Sequence, residues 1–277
     1  MLDDAAPPTL AEILTLSPAL DDAGEPRADT YLGHSPPERR ARVFGGQVVA
    51  QALVAASATA ASDHHVHSLH AYFLRGGEVE EPIAYEVERL RDGRSFTARR
   101  VTAVQRGEAI LVLSASFHAG GPGGDYEPPG PVGVPTPDDH LPPTRFAKPG
   151  VLETLDASYD QPFAPQRRLW FRAGCELPPE LHAAGVAYAT DHGPFGAARR
   201  IVDTAGAGRF DTMFRASLDH AIWFHRPPRI DDWVLYDIEA VAHRDDRILT
   251  SGRIVDGAGR RIATVAQEIL ARSPAAG

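Results

Sequence analysis

Two stretches of this chain follow one plan about 151 positions apart, and that repeat narrows the folds open to it. Phe73 is matched by Phe224, Arg75 by Arg226, Tyr85 by Tyr236 and Glu88 by Glu239. With one residue inserted in a turn, Gly107 meets Gly259 and Ile110 meets Ile262. In the first half, residues 48–57 are apolar on nearly every side, the mark of a helix buried all round. Gly45-Gly46 just before it lets another backbone come close. Four segments rich in Val, Ile, Tyr and Phe follow, at 66–75, 83–90, 96–105 and 110–118. Gly76-Gly77, Asp92-Gly93 and Arg106-Gly107 separate them as turns. In the second half a strand at 168–172 and a helix at 178–191 precede strands at 217–225, 233–241, 248–256 and 262–272. An internal duplication is the simplest account.

A buried helix followed by an antiparallel meander is a helix wrapped by a curled sheet. The expected class is therefore α+β, a double hotdog of two tandem domains. The first spans 8–119 and opens with a short helix within 8–20 and a strand at 30–32. A Pro/Gly-rich linker with little structure of its own covers 120–165. The second domain spans 166–275. A chain of 277 residues has room for both.

The formal net charge of −9 argues against a nucleic-acid partner, so an anionic ligand calls for a local basic cluster. One cysteine, Cys175, excludes an intrachain disulfide framework and fits a reducing, cytoplasmic setting. It reads as a small buried side chain. The first residues are acidic and lack the apolar core of a signal peptide. No apolar run approaches the roughly 18 residues of a membrane span, so no membrane insertion is expected. His64, His65, His67 and His70 cluster without the accompanying ligands of a metal site, and no metal or other cofactor is expected.

Five motifs then carry a resemblance. They are Val43-Phe44-Gly45-Gly46-Gln47-Val48-Val49-Ala50-Gln51-Ala52, His67-Ser68-Leu69-His70-Ala71-Tyr72-Phe73-Leu74-Arg75 and Val87-Glu88-Arg89-Leu90-Arg91-Asp92-Gly93-Arg94-Ser95-Phe96 in the first half. Leu218-Asp219-His220-Ala221-Ile222-Trp223-Phe224-His225-Arg226-Pro227 and Val265-Ala266-Gln267-Glu268 follow in the second. In this order they resemble the TesB-like (type II) acyl-CoA thioesterases. The resemblance implies a double hotdog, hydrolysis of fatty acyl-CoA to free acid and CoA, and a homodimer or higher homo-oligomer.

Thioester cleavage needs a nucleophile and donors for the developing oxyanion. No Gly-x-Ser-x-Gly elbow occurs, and nothing flanking Cys175 marks it as a nucleophile, which leaves an activated water. The resemblance implies a water-positioning trio that falls on Asp191, Ser217 and Gln267. Asp191 is the general base or orienting group, and Ser217 and Gln267 both donate and accept hydrogen bonds. The first-half counterpart of Ser217 is Val66, and that of Gln267 is Ala115 or Ser116, so only the second domain is expected to be catalytic. Gly45 and Gly46 at a helix start could face an anion or serve a tight approach. Arg75, Arg94 and Arg226 are the chosen phosphate-holding candidates, with Arg91, Arg99, Arg100 and Arg229 as further cations. Asp219, His220 and His225 read either as groups supporting the site residues from behind or as structural hydrogen bonders, the structural reading being preferred. The rival readings are a hotdog enoyl-CoA hydratase, for which His192 beside Asp191 is the tempting partner, and a non-catalytic acyl-CoA-binding protein.

Overall fold

The computed structural model describes residues 7–36, 42–161, 166–204 and 209–273. Parts of the polar stretch at 21–41, of the linker at 120–165 and of the second domain, including its expected end at 274–275, lie outside the described residues. The first half contains α1 (Leu10–Leu14), β1 (Ser17–Leu20), β2 (Pro26–Gly33), α2 (Gly45–Ala58), β3 (His65–Phe73), β4 (Ile83–Asp92), β5 (Phe96–Gln105) and β6 (Glu108–His118). The second contains β7 (Leu152–Asp156), β8 (Gln166–Ala173), α3 (His182–Thr190), α4 (Pro194–Thr204), β9 (Phe214–Ser217), β10 (Asp219–Phe224), β11 (Val234–Arg244), β12 (Arg247–Val255) and β13 (Arg261–Arg272).

All the pairings are antiparallel and form one sheet in the order β1-β2-β4-β5-β6-β3-β10-β13-β12-β11-β8-β7, with β9 on β13. The order reads as two copies of one arrangement joined back to back at β3 and β10. At that junction His70 stands opposite Ala221, positions 151 apart, so the offset visible in the sequence is also the register of the pseudo-two-fold. The register also fixes the counterpart of Gln267. Arg99 pairs with Ala115 on β5–β6 as Thr250 pairs with Gln267 on β12–β13, so Gln267 corresponds to Ala115.

Helix α2 is wrapped by β2–β6 and packs against α3 of the other half, the double-hotdog arrangement. One core runs through both halves, from Val49, Leu53 and Tyr85 to Val186, Tyr188 and Val265. Two buried glutamines on α2 find partners, as buried amides must. Gln51 accepts from the Tyr85 hydroxyl at 2.7 Å and donates to the Ile13 carbonyl at 2.6 Å. Gln47 donates to the His34 carbonyl and the Ser35 hydroxyl. Together they tie α1 and the chain after β2 to the central helix.

Several local expectations change. The helix within 8–20 is one short piece, started by a Thr9–Glu12 capping box. Pro18, with no N–H to donate, lies in β1. The Gly/Pro-rich stretch contains a 3-10 turn at Pro137–Asp139 and the strand β7, which pairs with β8. Leu141, Val151 and Leu152 are buried, and the Trp170 indole N–H donates to the Pro135 carbonyl at 2.7 Å, so this segment is fastened to the second sheet. Helix α4 had no counterpart in the sequence reading. Its Ala198 and Val202 pack on Ile248 and Ile269. Cys175 is half-buried and free. Among the described residues no helix is long and apolar enough to cross a membrane.

A candidate active site where the two halves meet

The site begins as a capping problem. Helix α2 starts at Gly45 after Phe44, which offers no side-chain cap. The first N–H groups of a helix lack intrahelical partners, and the positive end of its dipole favours an anion. Asp191, the C-cap residue of α3, supplies that anion from the other half of the chain. Its Oδ2 accepts from the Gly46 N–H at 2.8 Å. The approach requires both glycines. A Cβ on Gly45 would lie 2.9 Å from Asp191 Oδ2, and one on Gly46 2.6 Å from the Tyr188 carbonyl oxygen. The alternatives left open for Gly45-Gly46 thus resolve toward close approach, with the helix N-terminus turned to a carboxylate.

A bulge aims Ser217. Between the pairs Ser217–Ile269 and Ala221–Ala266, the β9–β10 strand advances four residues and β13 only three. The extra residue falls at Leu218-Asp219, where the Asp219 carboxylate accepts from the Glu268 N–H at 2.6 Å. Side chains alternate faces along a strand, so without the slip Ser217 would share the outer face with Ala221. With it, Ser217 points inward beside His220 and Gln267. The sequence reading drew one unbroken strand through this point.

The three residues of the expected trio come together. The Ser217 hydroxyl donates to Asp191 Oδ1 at 3.2 Å, and the Gln267 amide donates to the same oxygen at 2.7 Å and to Ser217 Oγ at 2.8 Å. Asp191 is 5% exposed and Gln267 is fully buried. Burial pushes the Asp191 carboxyl above the usual carboxylate range, while nearby His220 and the donors of Gln267, Ser217 and Gly46 pull the other way. Burial likewise raises the Tyr236 phenol, with the Asp191 charge adding to it.

For one member the structural reading was preferred over a supporting role. His220 is fully buried, with Nδ1 2.7 Å from Gln267 Oε1 and Nε2 3.0 Å from Thr190 Oγ1. Burial holds its pKa below that of a free imidazole. Its sequence signal was its place in the motif at 218–227. His192 turns elsewhere. It stacks on Phe44 at 4.2 Å and on Phe146 at 4.8 Å, so the Asp–His pair of the hydratase reading does not form there.

The candidate arginines do not converge. Arg75 follows Phe73 at the site's end of β3, and it bonds the Ala109 carbonyl and pairs with Glu108. Arg94 is exposed in the β4–β5 turn, beside the other end of β3, with its carbonyl 3.2 Å from a His64 ring nitrogen. Arg226 follows β10 at that same far end, held by Asp125 at 2.8 Å and Glu127 at 3.4 Å. Arg100 and Arg229 pair with Glu88 and Asp231. Arg99 is only 1% exposed and closes the C-terminal end of α2, donating to Thr59 Oγ1 and the Thr59 carbonyl, both at 2.8 Å. Of the clustered histidines, His64 bonds Thr97, His67 bonds Ser116 and His70 meets Asp219. Among the described residues no three His, Cys, Asp or Glu side chains gather as a metal site would require.

Among the described residues the first half holds no second copy of the site. Val66, Leu69 and Ala115 stand where Ser217, His220 and Gln267 stand in the second, and the Arg99 guanidinium takes the place of Thr250.

Comparison with known proteins identifies the family. A family model described as acyl-CoA thioesterase N-terminal domain matches residues 35–118, and one described as acyl-CoA thioesterase C-terminal domain matches residues 131–271. Acyl-coenzyme A thioesterase 8 of Mus musculus is 34% identical, covering 83% of this chain and 80% of that protein. Acyl-CoA thioesterase 2 of Haemophilus influenzae is also 34% identical, covering 83% and 88%. The crystal structure of acyl-CoA thioesterase II TesB2 from Mycobacterium marinum superposes with a TM-score of 0.82 at 37% identity, covering 96% of this chain and 99% of the other. A duplicated hotdog with both family domains in order, and relatives named for one activity over most of its length, make this chain a member of the acyl-CoA thioesterase family.

Proposed function

We propose that this thioesterase cleaves fatty acyl-CoA with a water activated by Asp191, oriented by Ser217 and Gln267. The observation that carries the reading is the convergence of three donors from both halves on one buried carboxylate whose pKa is raised. A carboxylate with a raised pKa is a better base than an exposed one. In the proposed reaction Asp191 takes one proton of the water while its oxygen bonds the thioester carbon. The tetrahedral oxyanion collapses, the C–S bond breaks, and Asp191 returns the proton to the CoA thiolate. The N–H of Gly45, in the first turn of α2, is the proposed oxyanion donor, favoured by the helix dipole. Arg75 is the best placed of the candidate arginines to meet a CoA phosphate, since it lies at the site's end of β3. The same reading puts the enzyme in the cytoplasm as a homo-oligomer. The outward Tyr72 and Trp223, 52% and 45% exposed on neighbouring strands, support the second point.

The test is hydrolysis of acyl-CoAs from short to long chain, followed with a thiol-reactive dye. Gln267→Ala is expected to lower kcat by about 100-fold, the scale of losing one preorganised donor. Ser116→Ala, in the first half, is expected to match wild type. Full activity in Gln267→Ala would overturn the reading. The pH profile gives a second check. A base must be deprotonated, so kcat/KM falls as pH drops through the pKa of Asp191 in the free enzyme. Burial raises that pKa, so the acid limb is expected above the roughly 3.9 of an ordinary aspartate. A limb below that value would contradict the assignment of Asp191 as base.

A further inference from the structure

We propose that His220, set by Thr190, is the positioning residue that fixes which way the Gln267 amide faces; this rests on the reading of Asp191, Ser217 and Gln267 given above. A glutamine amide has an oxygen and a nitrogen of nearly equal size, and the site works with one orientation only. The Nε2 group must face Asp191 Oδ1 and Ser217 Oγ, at 2.7 and 2.8 Å, because an amide oxygen there would confront a carboxylate. The opposite end, Oε1, is 2.7 Å from His220 Nδ1. Only a protonated Nδ1 can serve it. A neutral imidazole with its proton on Nε2 would present a lone pair to Oε1 and favour the reversed amide.

Thr190 selects the tautomer. Its hydroxyl has one proton and three acceptors in reach, His220 Nε2 at 3.0 Å, the Ala187 carbonyl at 3.4 Å and the Val186 carbonyl at 2.9 Å. Helix α3 already gives that carbonyl the backbone N–H of residue 190, four positions on. Among the described residues the His220 nitrogen has no such second donor. Donation from Thr190 to Nε2 leaves the ring proton on Nδ1, which donates to Gln267, which donates to Asp191 and Ser217. Thr190 and Asp191 are consecutive at the end of α3, so the chain of bonds closes on itself and clamps that helix end to β10 and β13. The first half offers an internal control. The glutamine is replaced there by Ala115 and the histidine by the buried Leu69, so the two polar residues are present together or absent together.

The test compares His220→Leu with His220→Asn, whose amide nitrogen sits where Nδ1 does and still donates. His220→Leu is expected to lose about 100-fold in kcat, the scale of a misplaced catalytic group, with KM within about threefold of wild type. His220→Asn is expected to recover most of that loss. A purely structural histidine predicts instead that both variants lose thermal stability and that neither restores kcat selectively. If His220→Leu keeps wild-type kcat while Gln267→Ala loses it, the positioning proposal fails and the water-activation reading stands. If Gln267→Ala itself keeps full kcat, both fall. A readout on the unmutated protein covers the case in which His220→Leu does not fold: the nitrogen shifts of the His220 ring should report the Nδ1–H tautomer, and an Nε2–H ring would overturn the proposal.

Discussion

Asp191→Asn is expected to lower kcat about 10³- to 10⁴-fold and to leave KM for acyl-CoA within about threefold. At about 1.4 kcal/mol per decade this is about 4–5.5 kcal/mol of barrier, the largest activity effect foreseen for one side chain here. Asparagine keeps the shape and removes the base. It also cannot satisfy its surroundings. Oδ2 faces the Gly46 N–H, while Oδ1 faces the Ser217 hydroxyl and the Gln267 amide. An amide turned either way points its own N–H groups at a donor, a conflict worth about 1–3 kcal/mol.

Stability should shift in a pH-dependent way. The folded pKa of Asp191 is raised above its unfolded value. Its contribution to stability is therefore fully present below the unfolded pKa of about 3.9 and lost as pH rises through the folded value. Asparagine does not titrate. The advantage of wild type over the variant in denaturant midpoint should accordingly narrow as pH rises across that window. Turnover by Asp191→Asn within tenfold of wild type would remove Asp191 from the chemistry. A stability gap that widens with pH would contradict the raised pKa.

The fold and part of the site were legible in the sequence, for different reasons. Period and punctuation revealed the strands, since a half-buried strand advertises itself every second residue and a turn by its glycine. The 96–105 segment and the offset of 151 both reappear in the structure. Asp191, Ser217 and Gln267 were named by resemblance, and nothing in their spacing places them within hydrogen-bond reach of one another. What local patterns could not express was closure. The slip at Leu218-Asp219 that turns Ser217 inward changes the pairing and leaves the composition untouched. The role of His220 depends on a glutamine 47 positions away. Arg99 was read as a further cation for a phosphate and is a buried lid on α2, because its partners at Thr59 lie across the half-domain. The Gly/Pro-rich stretch looked unstructured, yet it lends the strand β7 to the outer edge of the second half's sheet.

Gly46→Ala should produce the largest loss of stability, about 3 kcal/mol. The added methyl would stand 2.5 Å from Phe44 Cε1 and 2.6 Å from the Tyr188 carbonyl oxygen. The ring could rotate away, but the carbonyl belongs to the backbone of α3 and cannot. Helix α2 must then withdraw from α3 along the seam where the halves pack. Overpacking of this kind costs about 1–3 kcal/mol, and losing the cap that Asp191 gives to the Gly46 N–H adds about 1 kcal/mol. For a chain of this size the melting temperature should fall by about 6–10 °C. Activity should fall with it, because the same withdrawal lengthens the contact that holds Asp191. Gly124→Ala, with nothing within 4 Å of its new methyl, is the control and should change neither. Gly45→Ala separates the two effects. Its methyl meets Asp191 Oδ2 and the Phe73 ring at 2.9 Å, both ends of side chains that can shift. It should therefore cost less stability than Gly46→Ala while still displacing the carboxylate, with kcat falling out of proportion to the melting temperature. Equal melting temperatures for Gly46→Ala and Gly124→Ala would mean that the two helices are not packed through Gly46 as described.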